Sequence, residues 1–268
     1  MIHLIHMPGI RCYLVSMKLK AIPFPREYGS WGILITSGIM GVALQRGPVT
    51  AVTVLALAGI SLLFMTKAPL SAFVRRRHGP DLAVSAVYAG GGLLFLWPAL
   101  SAVRPGTLLL LSVVPVLTIA VYAMSAFLHR ERAVVVEFFA MATLTLPVLF
   151  FSLAERHPVN VRMSALWFLS FLYFSASILK VKMLIFRTRG FRIANVIYLI
   201  AVAGVFAVLI AGRAVPVCAG FAFLPLIENA VSTFVQHDGR RNLKRVGILE
   251  LVKGCIFALV LILAAVSA

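Results

Sequence analysis

Apolar runs long enough to cross a membrane follow one another from about residue 29 to the end of the chain, each closed by Pro, Gly or a knot of charge. A helix rising 1.5 Å per residue needs about 20 apolar residues to cross a hydrocarbon layer roughly 30 Å thick, and it satisfies its own backbone there. The runs predict nine helices, at about 29–45, 48–66, 82–102, 106–127, 133–154, 164–186, 194–212, 215–235 and 246–267. The breaks fall at Gly47-Pro48, Arg75-Arg76-Arg77-His78-Gly79-Pro80, Arg104-Pro105-Gly106, His129 to Arg132, Arg156-His157-Pro158, Arg187 to Arg192, Arg213 and His237 to Arg245. The expectation is an all-α, polytopic transmembrane helix bundle of about nine spans. Pro115, Pro147, Pro225 and the run Gly90-Gly91-Gly92 lie inside the runs, where kinks and close helix contacts are expected before hinges. No internal repeat stands out, which gives no support to a transporter built on inverted repeats.

Composition sharpens this picture. Of 268 residues, 62% are hydrophobic and 12% charged, whereas an ordinary soluble domain carries about 25% charge. A water-soluble globule has no way to hide so much apolar surface. The first 16 residues lack the apolar core and small-residue cleavage site of a signal peptide. Residues 1–22 are expected to be a tail, with Met17 an alternative start, ahead of one transmembrane domain over 23–268.

The net charge is +17, from 25 Lys and Arg against 8 Asp and Glu. These cations sit in short loops between apolar runs, where they set topology and meet anionic lipid; nucleic acid is not an expected partner. With the N-terminus inside, inside segments carry 19 of them and outside segments 5, Lys253 in the last helix being the other. That asymmetry predicts nine spans with a cytoplasmic N-terminus and an outside C-terminus. The cysteines Cys12, Cys218 and Cys255 are far apart and form no CxxC, so neither a disulfide framework nor a structural zinc site is expected.

Ionisable groups within a bilayer are costly and are candidate functional residues. Glu137 lies about one turn into the fifth predicted helix, Glu228 and Asn229 in the second half of the eighth, and Glu250 and Lys253 in the first two turns of the ninth. Lys67 ends the second helix, Lys180 and Lys182 end the sixth, and Arg26-Glu27-Tyr28 open the first. All fall at the predicted cytoplasmic end, as do seven of the eight carboxylates, Glu155 excepted. Such one-sided depth fits a polar cavity opening to the cytoplasm; charges that pair near the interface and snorkel outward fit it too. The six histidines lie in loops or the tail, and no GxSxG, P-loop or HExxH occurs. No cofactor, metal or catalytic residue is therefore assigned. Tyr173, Ser175 and Ser177 read as interhelical hydrogen-bond partners.

Pro25-Arg26-Glu27-Tyr28-Gly29-Ser30-Trp31-Gly32 resembles the opening signature of the YwiC-like family of bacterial membrane proteins. The segments Leu166-Trp167-Phe168-Leu169 to Lys180-Val181-Lys182-Met183 and Arg241 to Gly247 look like that family's other recurring stretches. The nine-span layout is also similar to the UbiA-type prenyltransferases, which hold a prenyl diphosphate through magnesium on two Asp-rich loops. This chain departs from them, having only Asp81 and Asp238. Lys67, Arg75, Arg76 and Arg77 stand in the first of the two loops, and Lys180, Lys182, Arg187 and Arg189 in the second. Lys and Arg bind phosphate directly. The resemblance thus implies a lipid-phosphate or isoprenoid-type ligand held without magnesium, with Arg26, Glu27, Lys67, Arg75, Arg76, Arg77, Glu137, Lys180, Lys182, Arg187 and Glu228 as candidate binding residues. Two other readings stay open: a small-anion transporter with Glu137, Glu228 or Lys253 in its path, and an accessory subunit of a membrane complex.

Overall fold

The computed structural model describes residues 28–45, 48–77, 79–128, 133–154, 161–186, 188–234 and 243–267. Among these there are no strands, and the helices are α1 (Tyr28–Leu44), α2 (Ala51–Met65), α3 (Lys67–Arg76), α4 (Gly79–Ala102), α5 (Pro105–Phe127), α6 (Val134–Thr145), α7 (Pro147–Ala154), α8 (Val161–Phe186), α9 (Arg189–Ala211), α10 (Leu224–Phe234) and α11 (Leu243–Val266), with a 3-10 stretch over Val217–Phe223. Three pairs join end to end: α2 with α3 at Thr66, α6 with α7 at Leu146, and the 3-10 stretch with α10. The described residues thus form nine helical segments, one at each predicted position. Seven are long and apolar enough to cross a membrane, while Gly29–Leu44 and Val217–Asn229 are shorter.

Several predicted boundaries move outward, because charge marks the edge of the membrane and not the end of a helix. The second segment continues past Met65 through Lys67 to Arg76, so these cations stand on a helix and not in a loop. Thr66 keeps helical dihedrals, and the Leu70 N–H donates to its carbonyl at 3.1 Å. Pro69 falls in the first turn of α3, where a missing N–H does little harm. The helix stops at Arg77, whose left-handed backbone (φ 53°) lets its N–H cap the Phe73 carbonyl at 2.7 Å. Likewise α4 starts at Gly79, α8 at Val161, α9 at Arg189 and α11 at Leu243. The eighth segment is not one α-helix, since its first half is 3-10.

The prolines also separate. Pro147 is the first residue of α7 and interrupts the α6–α7 segment; Pro225 falls in the first turn of α10, and among the described residues Pro98 and Pro115 are the prolines beyond the first turn of an α-helix. Close packing explains the glycines better than hinging does. A Cβ on Gly59 of α2 would lie 2.7 Å from the Gly92 carbonyl of α4, and one on Gly92 would lie 2.9 Å from the Gly59 carbonyl. Gly90 faces open space. On α1, Gly41 rides on the Pro147 carbonyl where α7 begins, and Gly32 lies against Leu251 of α11.

α8 is the centre of the bundle. Two-thirds of its membrane window is buried, whereas none of the window in α5 is. Its core partners include Ile33 and Met40 of α1, Val148 of α7, and Phe257 and Leu261 of α11. α5 stands at the edge and is tied to α6 by hydroxyls: Thr118 and Thr143 share a hydrogen bond of 2.7 Å, and Thr118 also donates to the Phe139 carbonyl at 3.0 Å.

Candidate functional site

Lys180 and Lys182 sit near the end of α8, two residues and therefore about 200° apart around the helix. They face different neighbours. The Lys182 ammonium pairs with Glu137 of α6 at 2.9 Å and lies 5.9 Å from the centroid of the Phe186 ring. The Lys180 ammonium turns the other way, to α10 and α11. There it donates to Glu250 Oε1 at 2.7 Å and to Asn229 Oδ1, and lies 3.7 Å from Glu228 Oε2. Lys253 completes this cluster: it bonds Glu228 Oε2, and reaches Glu250 Oε1 and Asn229 Oδ1 at 3.4 Å each.

Two ammoniums and two carboxylates leave the cluster formally neutral. That balance is what a low-dielectric setting demands, since an isolated buried charge costs several kcal/mol. Exposure is graded across it. The side chain of Lys180 is 4% exposed, those of Glu250 and Lys253 16% and 18%, and that of Glu228 54%. Lys180 is thus the innermost group and Glu228 the mouth.

Further along α8 and α11, towards the middle of the bundle, aromatic rings pack on one another. Tyr173 of α8 stacks on Phe257 of α11 with centroids 3.8 Å apart and planes at 12°. Phe223 meets Phe257 edge-on at 5.5 Å, and Phe174 does so at 5.9 Å. Gly254, next to Lys253, lets Phe174 pack in; a Cβ there would be 2.9 Å from the ring. Tyr173 therefore serves as a stacking residue. Ser177 bonds the Phe174 carbonyl of its own helix at 2.6 Å, and it is Tyr198 of α9 that donates across helices, to the Leu172 carbonyl at 2.8 Å.

The structure thus gives Glu137, Glu228, Lys180 and Lys182 opposite-charge partners, and divides them between two sides of α8. The i,i+3 pair Glu250–Lys253 is present, but as one edge of a larger network. Arg75 and Arg77 stand exposed at the end of α3, where Arg75 is braced on Ser71, its Nε to the carbonyl and Nη2 to Oγ, both at 3.3 Å. Lys67 opens α3. The start of α1 lies between these regions: Trp31 meets Phe64 of α2 edge-on at 4.9 Å, while Gly32 packs on Leu251, next to Glu250. Arg26, Glu27 and Arg187, and the side chain of Arg76, lie outside the described residues. Among the described residues, no three His, Cys, Asp or Glu side chains gather.

The opposite end of the bundle holds a feature that no pattern in the sequence singles out. Arg162, at the start of α8, donates to the Ala265 carbonyl at the end of α11, where a cation complements the helix terminus. Beside it a cavity of about 320 Å³ is lined by Arg162, Arg213, Pro216 and their apolar neighbours. Arg162 and Lys180 are about 27 Å apart along α8 at 1.5 Å per residue, close to one hydrocarbon thickness.

Residues 24–152 match the family described as YwiC-like protein. No curated protein and no solved structure matches the chain. The matched region includes α1 to α6, and hence Glu137, Lys67 and the arginines of α3; Lys180, Lys182, Glu228, Glu250 and Lys253 lie beyond it.

Proposed function

We propose, on the premise that residues 24–152 belong to the YwiC-like family, that this multi-pass membrane protein holds a phosphorylated lipid, of isoprenoid type or similar. Its headgroup would lie at the end of α3, on the cytoplasmic side of the bacterial inner membrane, with no magnesium bridge. One contrast carries the reading. Arg75 and Arg77 are exposed where an apolar helix of 25 residues, Ala51–Arg75, ends, while Lys180 and Lys182 are buried inside the bundle. Arginine forks suit phosphate oxygens and need no metal between.

An apolar cavity supports the same reading. It has a volume of about 270 Å³ and is lined by Leu34, Ile39, Leu57, Ile60, Ser61 and Pro147, where α1, α2 and α7 meet. It lies further along the helix that leads to the basic end, as a hydrocarbon tail below a headgroup would require.

Native mass spectrometry of the detergent-purified protein tests this. A phosphorylated lipid should be retained, should survive EDTA, and should fall by more than about tenfold when Lys67, Arg75 and Arg77 are changed together to Gln, since the loss of even one charge-assisted bond costs about 1.5–3 kcal/mol. Loss of the lipid on chelation, or retention unchanged in the triple variant, would overturn it.

A further inference from the structure

We infer that the cluster of Lys180, Lys253, Glu228, Glu250 and Asn229 is a binding site for a small oxyanion, a carboxylate or orthophosphate, and that the Glu228 carboxylate is its built-in occupant. This site is distinct from the one at the end of α3. The two carboxylates have unequal places in the cluster. Glu250 is 16% exposed, takes the shortest ion pair to Lys180 at 2.7 Å, and belongs to the same helix as Lys253. Glu228 is 54% exposed, and like Glu250 through Oε1 it approaches both ammoniums with a single oxygen, Oε2.

Taking the Glu228 carboxylate away leaves two ammoniums and one carboxylate, a net charge of +1. The ammoniums would keep their positions, because Lys180 is still held by Glu250 and Asn229, and Lys253 by the same two groups at 3.4 Å. What remains is a pair of fixed N–H donors converging on the volume of one carboxylate oxygen, which is the form of a site for an incoming oxyanion. Glu228, as the most exposed member of the cluster, marks the side from which an anion would enter. A tethered carboxylate at that mouth keeps the site neutral while it is empty. An anion enters by exchanging with it, so no uncompensated charge is ever left in the bundle.

Isothermal titration calorimetry with inorganic phosphate and with acetate, on detergent-purified full-length protein, distinguishes such a site from a purely structural network. Wild type should bind weakly, and Glu228→Gln, which keeps the volume and removes the charge, should bind at least about tenfold more tightly because its internal competitor is gone. Glu250→Gln carries the same net charge but leaves Glu228 in place, and should show no gain. Lys253→Met on the Glu228→Gln background should abolish the gain. If Glu228→Gln folds poorly, its thermal unfolding temperature should rise on adding phosphate more than that of Glu250→Gln does. Equal responses of the two Gln variants, or no response in either, would overturn the inference. So would a gain that disappears when Arg75 and Arg77 are changed to Gln, because the bound anion would then be at α3.

Discussion

The α2–α3–α4 group and the α8–α10–α11 group are written in the sequence with the same grammar, an apolar span running into lysines and arginines, yet they are held together in opposite ways. α2 and α4 meet backbone to backbone through Gly59 and Gly92, with Arg75 and Arg77 exposed at the end of α3. α8 meets α10 and α11 through side chains, and its Lys180 is buried in a cage of Glu228, Asn229 and Glu250. A cation is a surface charge in one place and a buried, bonded group in the other. Burial among neighbouring helices separates the two.

The largest expected effect follows from that. Lys180→Met removes the innermost cation and leaves Glu228 and Glu250 sharing Lys253 alone, so it should destabilise the protein by about 3–5 kcal/mol, the usual result of breaking a buried pair. Adding Glu250→Gln should recover part of the loss, because the stranded charge goes with it. Reversible unfolding in mixed micelles measures both. A loss below about 1 kcal/mol for Lys180→Met would class the cluster with exposed ion pairs and erase the contrast with α3.

Backbone contact should answer to volume instead of charge. Gly92→Val places carbon within 3 Å of the Gly59 carbonyl and the Leu63 side chain, at 2.9 and 2.8 Å from the new Cβ. Overpacking of this kind costs about 1–3 kcal/mol. Gly90→Ala, two residues away in open space, should be neutral or slightly stabilising, since alanine is the better helix former by about 1 kcal/mol. Equal effects at the two positions would show that α2 and α4 do not cross at this pair.

How much of this was legible in the sequence depends on which physical quantity the sequence encodes. Run length and punctuation encode membrane crossing, and the nine segments follow. Depth is encoded as well: Glu137, Glu228, Glu250, Lys180, Lys182 and Lys253 come out at one end of the bundle. Rotation about each helix axis is not encoded for spans of such uniform hydrophobicity, because lipid-facing and core-facing positions are alike apolar. Hence nothing in the sequence said that Lys180 and Lys182 turn to opposite sides of α8, or that Glu228 and Glu250 arrive beside the first of them. The continuation of α2 into α3 was hidden for a different reason. Lys67 and Pro69 look like a break, but a proline in a first turn is harmless and a lysine at a membrane edge snorkels without ending its helix.

The smallest expected effect is at Arg77, and it bears on the exposed side of the comparison. Its backbone lies in the left-handed region, φ 53° and ψ 29°, at the C-terminal cap of α3. For a residue with a Cβ that conformation costs about 1–2 kcal/mol. Glycine adopts it freely but brings about 0.5–1 kcal/mol of extra chain entropy to lose on folding. Arg77→Gly should therefore stabilise the protein slightly, by no more than about 1 kcal/mol, as glycine does at helix caps of this type. If the arginine is at this strained position for its phosphate contact, the same substitution should lower retention of phosphorylated lipid, so that stability and binding move in opposite directions. Lys180→Met, in contrast, is expected to weaken the fold itself. Unfolding and lipid retention measured on one preparation of Arg77→Gly decide the matter. A clear loss of stability would mean that the Arg77 side chain supports the fold, and the cations of α3 would then have to be grouped with those of α8.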